Sequence, residues 1–202
     1  MAKKYIYKRF ERFWHWTQAL LVLMLVLTGF EVHGFWELFG YEAAVDLHDI
    51  FAYALIFLVA FAIFWHFTTG EWRQYLPTRK YLKEMIRFYV AGIFKGESHP
   101  TRKTEISKLN PLQRATYLML KIFLFPVQIV TGLVYLYYNS LQGTDYAVSL
   151  DTIAKVHTIG AYLFLIFLVI HIYLTTTGET PTSNIKAMIT GWEDLEEEKS
   201  EA

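Results

Sequence analysis

The sequence predicts an all-α integral membrane protein, a four-helix transmembrane bundle with an amphipathic helix lying along the cytoplasmic membrane surface. Three observations predict it. The 202 residues are 54% hydrophobic and 18% aromatic, with a mean hydropathy of +0.25, outside the ordinary range of soluble domains. Four apolar runs, near 13–32, 47–67, 117–138 and 153–175, are each long enough for the ~30 Å hydrocarbon core, which takes about 20 helical residues. The charges sum to zero but are segregated, and their segregation gives an orientation.

In chain order, Lys3, Lys4, Lys8, Arg9 and Arg12 precede the first span. Basic and then apolar, this N-terminus resembles a signal peptide, but the run after Trp14 is long and lacks a small-residue cleavage pattern. It reads as a retained first span. The connection to the second span holds Glu37, Glu42 and Asp46 and no Lys or Arg, whereas the long middle connection carries nine basic residues, from Arg73 to Lys108. Between spans three and four stand Asp145 and Asp151, with nothing basic before Lys155. By the positive-inside bias, both termini and the middle connection are cytoplasmic and the two short acidic loops face out. Within the middle connection Tyr81, Leu82, Met85, Ile86, Phe88, Tyr89, Ile93 and Phe94 recur near helical spacing among Lys83, Arg87 and Lys95. They predict an interfacial helix near 79–95, since nothing soluble is left for it to pack on. The polar stretch 97–110 ends at Asn110-Pro111, a boundary before span three. Residues 1–178 thus form one four-span domain and 179–202 a cytoplasmic tail, whose acidic end from Glu193 reads as disordered.

The chain has no cysteine, which excludes disulfides, thiolate zinc sites, cysteine-ligated iron–sulfur clusters and covalently attached haem. With zero net charge, no nucleic-acid partner is expected. Attention falls on the histidines, because ionisable groups in lipid are costly. His157 and His171 are 14 residues apart on one helix, which puts them within about 40° of each other and ~21 Å apart along the axis. His48, opening span two, stands at the depth of His157, and His15, opening span one, at the depth of His171. The spacing favours two stacked bis-histidine sites, His48 with His157 outside and His15 with His171 inside. His66, ~27 Å from His48 on the same face, is the alternative inner ligand in place of His15, and otherwise a polar neighbour of that site. A polar seam between helices is the plain alternative to ligation.

Two nitrogens from facing helices leave bare zinc or copper short of ligands but complete the axial positions of a porphyrin iron. The expected cofactors are therefore two non-covalent b-type haems, closed to oxygen chemistry and suited to electron transfer. Thr28-Gly29, Thr131-Gly132 and Gly160 would let helices draw back around a macrocycle, or serve only as packing positions. Arg12, Arg114 and Lys155 stand where propionates would emerge, or snorkel.

The segment Arg12-Phe13-Trp14-His15-Trp16 leading to Thr28-Gly29, the histidine opening span two, and the pair His157 and His171 resemble the cytochrome b subunits of bacterial hydrogenases, formate dehydrogenases and thiosulfate reductases. That family is related to bacterial cytochrome b561, and the likeness covers the spans. The stretch Gly70-Glu71-Trp72-Arg73-Gln74-Tyr75-Leu76-Pro77 is similar to the thiosulfate-reductase branch. The resemblance implies a multi-pass anchor in the bacterial inner membrane, with the outer haem held from spans two and four and the inner from spans one and four. It implies an electron-transfer subunit of an oxidoreductase complex, working between an outer-face redox subunit (an iron–sulfur or multihaem protein) and menaquinone or ubiquinone. An Asn-x-x-Gln pattern before span three binds quinone in the relatives, and Asn110 and Gln113 match it, with Pro111 and Leu112 between them. Two other classes stay open. One is a stand-alone quinone oxidoreductase meeting a small oxidant such as superoxide; the other is a haem-free membrane anchor.

Overall fold

The computed structural model describes residues 2–97, 99–101, 103–104, 107–144, 148–178 and 180–195. Arg102 of the basic connection, Asp145 of the second acidic loop and the end of the tail from 196 lie outside the described residues. The chain forms two compact units. A membrane unit comprises Phe13–Trp65 and Phe123–Leu174, and a terminal unit comprises Met1–Arg12, His66–Ile122 and Thr175–Ala202.

Among the described residues four helices are long and apolar enough to cross a membrane: α1 (Arg9–Val32), α2 (Tyr41–Thr69), the continuous helical run Pro111–Leu136, and α7 (Leu150–Thr175). Each is longer than its apolar run, because hydropathy marks what sits in lipid while a helix continues through polar turns at its ends. The third consists of α4 (Pro111–Met119), a π turn (Leu120–Leu124) and α5 (Phe125–Leu136). Pro126 has no N–H to give the preceding turn, and the π turn absorbs the break. A short α6 (Tyr138–Leu141) follows.

In the membrane unit the protected side chains are few and include Thr28, Phe30, Leu55, Leu58, Phe125, Thr131 and Phe164. Phe57, at 77% exposure, and its neighbours Phe61 and Phe64 look outward, as lipid-facing residues do. Phe125 and Phe164 meet edge to face at 4.9 Å, and the Tyr53 and Tyr137 hydroxyls share a 2.5 Å hydrogen bond. The loop after α1 is held by one carboxylate: Glu31 Oε1 accepts the N–H groups of Leu38, Phe39 and Gly40 at 2.7–2.9 Å.

In the terminal unit, β1 (Ala2–Tyr5) pairs antiparallel with β2 (Trp192–Leu195), Lys3 opposite Asp194 and Tyr5 opposite Trp192. The acidic tail is therefore ordered over Glu193–Leu195, where disorder is the sequence expectation. The ladder and the Lys103 ammonium, 2.7 Å from Glu193, overcome the tail's charge. Between α8 (Ser183–Thr190) and β2 stands Gly191 at φ +88, with a Cβ position 2.7 Å from the Tyr7 carbonyl. Only glycine fits that turn without strain.

The amphipathic segment runs as α3 (Leu82–Arg87), a π turn (Phe88–Gly92) and a 3-10 turn (Ile93–Lys95). One side is not interfacial, because Met85 and Phe88 are buried within the terminal unit. Ile86, Val90 and Phe94, spaced by four, form an exposed apolar row on the other side.

Candidate haem-ligand site

Helices α2 and α7 bring the His48 and His157 rings to 6.3 Å between centres, at 75°. Helices α1 and α7 bring His15 and His171 to 6.1 Å, at 53°. All four residues belong to the membrane unit. A metal–imidazole bond is about 2 Å, so two such bonds in line, with roughly 1.2 Å from nitrogen to ring centre, put the centres ~6.4 Å apart. Both pairs have that spacing. Among the described residues no three His, Asp or Glu side chains converge as a ligand group, so two nitrogens are what each pair supplies. That donor set suits porphyrin iron and not bare zinc. His15 Nδ1 is also buried without a hydrogen-bond partner, an unsatisfied polar atom on a ring of the inner pair. Aromatic rings confine the inner pair: Trp16 meets His15 edge-on at 5.1 Å, and Phe167 stacks on His171 at 5.7 Å and 13°.

The small residues are close-packing positions, one of the two parts expected of them. Room beside them is taken by side chains: a Cβ on Gly29 would lie 3.0 Å from His48 Cε1, and one on Gly132 3.0 Å from His157 Cε1. Above Gly160 lies the Gln128 amide, which a Cβ would strike. Thr28 Oγ1 is 3.0 Å from His48 Nδ1 and Thr131 Oγ1 is 3.1 Å from His157 Nδ1. Gln128 Nε2 stands 3.1 Å from His157 Nε2. Sequence reading missed Gln128 and the two hydroxyls. The available signal was the Thr-Gly pair repeated in spans one and three.

His66 belongs to the terminal unit, with Nε2 3.3 Å from the Tyr75 hydroxyl. The same Tyr75 ring lies under the Lys121 ammonium, 3.2 Å from its centre, which gives an intramembrane cation a cation–π partner. The candidate propionate anchors have protein partners. Arg12 donates to the Ile189 carbonyl, Arg114 to the Leu109 carbonyl and Ser107 Oγ, and Lys155 pairs with Asp151 at 2.7 Å.

Asn110 and Gln113 open α4 as a reciprocal capping box. Asn110 Oδ1 accepts the Gln113 N–H at 2.9 Å, and Gln113 Oε1 accepts the Asn110 N–H at 3.1 Å. Pro111 occupies the first helical position, where a missing N–H costs nothing. Asn110 Nδ2 donates to the Tyr89 hydroxyl at 3.1 Å.

Comparison with known proteins gives the same reading from another direction. The family model described as prokaryotic cytochrome b561 matches residues 6–191. A relative in Escherichia coli (strain K12), "Putative cytochrome YdhU", is 31% identical over 197 residues, covering 94% of this chain and 74% of that protein. The "Probable Ni/Fe-hydrogenase B-type cytochrome subunit" of Rhodobacter capsulatus is 26% identical over 223 residues, covering 98% and 84%. No solved structure matches the chain. Four apolar helices, paired intramembrane histidines and a family match across nearly the whole sequence lead to one conclusion: this chain is a membrane b-type cytochrome and belongs to the prokaryotic cytochrome b561 family.

Proposed function

We propose that the protein is the membrane-anchoring electron-transfer subunit of a bacterial oxidoreductase complex, carrying two b haems between an outer-face redox partner and the quinone pool. The single observation that carries this is the presence of two His–His pairs, at 6.3 and 6.1 Å, on shared helix α7. His48 and His157 would hold the outer haem, His15 and His171 the inner. Bound there, each haem supplies a one-electron couple with no open coordination position. The chain's part is to hold the ligands in a dry apolar frame, with Phe167 and Trp16 walling the inner pair and excluding water from it. The hydrogenase subunit relative supports a catalytic redox partner. Its landing place would be the outer loops, of which the one held by Glu31 is already ordered.

For the quinone we propose Asn110 and Gln113. Their oxygens are occupied in the helix cap and Asn110 Nδ2 already donates once to Tyr89, so the donors toward a quinone carbonyl would be the remaining amide N–H groups.

The test is stoichiometry and residue assignment in the purified full chain. Two low-spin b haems per chain are expected. His48→Ala or His157→Ala should remove one centre and His15→Ala or His171→Ala the other. A ratio near one, or a high-spin native spectrum, would overturn the paired-ligand reading.

A further inference from the structure

The two outer histidines are seated by the same device, and it occurs twice. In α1 and again in α5 a threonine is followed by a glycine, and the next long helix lays a histidine ring across the pair. Gly29 gives the His48 ring its space and Gly132 gives the His157 ring its space. The preceding hydroxyl faces Nδ1 of that ring, at 3.0 Å from Thr28 and 3.1 Å from Thr131. Each hydroxyl also has a shorter contact with the carbonyl four residues back, Thr28 to Met24 at 2.8 Å and Thr131 to Val127 at 2.7 Å. A hydroxyl has one proton, and the shorter bond takes it. The oxygen is then left as an acceptor, and the Leu25 and Gln128 backbone carbonyls stand beside the same hydroxyls and rings as second acceptors, so the proton between hydroxyl and ring belongs to Nδ1. The neutral ring must present Nε2 as a bare lone pair. At His157 the Gln128 amide, whose Nε2 can only donate, lies 3.1 Å from Nε2 and marks that lone pair, which it would give up to an iron bound there.

We propose that Thr28 and Thr131 are positioning residues for the outer haem, each fixing its histidine in the Nδ1–H tautomer with Nε2 toward the iron. This rests on the haem reading above and goes beyond it. His15 of the inner pair is seated differently, since its Nδ1 is buried with no hydrogen-bond partner. A donor relation from Nδ1–H to an acceptor raises ligand basicity and favours the oxidised metal. The two hydroxyls therefore lower the outer midpoint potential and leave the inner one alone.

The experiment is a potentiometric titration of the full chain in membranes, followed in the b-type absorption bands. Wild type is compared with Thr28→Val, Thr28→Ser, Thr131→Val and Thr131→Ser, and the outer wave is the one lost in His48→Ala. Each valine variant should shift the outer equilibrium three- to tenfold toward reduction, about 28–59 mV for a one-electron couple. The inner wave should stay and each serine variant should return to wild type. Loss of the outer haem in a valine variant, with retention in its serine counterpart, supports the same assignment. Unchanged potentials in both valine variants, or equal shifts with serine and valine, would overturn the seat while the two haems stand. A wild-type chain with no outer wave would overturn the haem reading and the seat with it.

Discussion

At the scale of single residues, the histidines separate by what each one touches. His48 and His157 touch each other, as do His15 and His171, while His66 is engaged with Tyr75. His66→Ala should keep both haems and lose at least its hydrogen bond to Tyr75, about 0.5–1.5 kcal/mol of stability. A pyridine haemochrome assay and a thermal melt check it, and loss of the inner haem would restore His66 as a ligand. The histidines were legible in the sequence because lipid makes a polar side chain conspicuous, and helical geometry turns 14 residues into one face at two depths. The hydroxyls of Thr28 and Thr131 were not, because a threonine in a membrane helix ordinarily bonds its own backbone. Only the placement of the next helix shows that the oxygen has a second task. Gln128 was equally silent, one amide in an apolar run whose meaning depends on His157 across from it.

At the scale of elements, the spans were readable to within a turn or two, because apolar length is a bulk property, and their ends were not, because caps are individual contacts. The start of α4 shows the difference. Its apolar run begins near 117, yet the helix begins at Pro111 because Asn110 and Gln113 cap it. The same two residues are the quinone candidates, so a plain alanine scan would confuse the roles. Asn110→Asp keeps a capping oxygen and deletes both amide donors, whereas Asn110→Ala deletes the cap as well, at a cost of about 1 kcal/mol. If the amide serves quinone, Asn110→Asp should weaken binding of a hydroxyquinoline-type quinone analogue with the melting temperature unchanged. If it serves only as a cap, Asn110→Asp should bind like wild type and Asn110→Ala should lose stability alone. The strand β2 was invisible in the sequence for a related reason: its four residues pair with β1 from the other end of the chain. The terminal unit also contains an ion cluster from three separated segments, Lys108 with Glu11 at 2.7 Å and with Glu71 at 3.1 Å, and Lys8 with Glu71 at 2.7 Å. Lys108 is only 6% exposed, so Lys108→Met, which leaves Glu11 and Glu71 facing each other, should cost about 3 kcal/mol in a chemical melt. Burial pushes the Glu71 carboxyl up, but the Lys8 hydrogen bond and the Lys108 charge outweigh it and hold the group below its ordinary value. A carboxylate depressed in the folded state lends stability above its unfolded value and loses it as pH falls through the folded one. Thermal stability should therefore decline on acidification below the ordinary carboxylate range, and Glu71→Gln should flatten that decline.

At the scale of the whole molecule, the β1–β2 ladder constrains topology independently of charge. Strands from the two ends of the chain are hydrogen-bonded to each other, so both ends must lie on one side of the membrane, and four spans, an even number, meet that condition. Which side is decided by the basic residues of the N-terminus and the middle connection against the acidic loop with Glu37 and Glu42, and we propose the cytoplasm. The absence of cysteine makes this testable without background. In otherwise unmodified chains Glu37→Cys and Lys186→Cys place single thiols at exposed positions, one in the loop after α1 and one on α8. A membrane-impermeant maleimide added to spheroplasts should label Glu37→Cys and spare Lys186→Cys until the membrane is opened. Retained haem in each variant confirms that the chain being labelled is the folded one. The reverse pattern would invert the protein and overturn the proposed orientation. Labelling of both before opening would break the four-span assignment itself. Because the ladder needs both ends together, a Lys3→Cys chain should follow Lys186→Cys whichever way the protein is oriented.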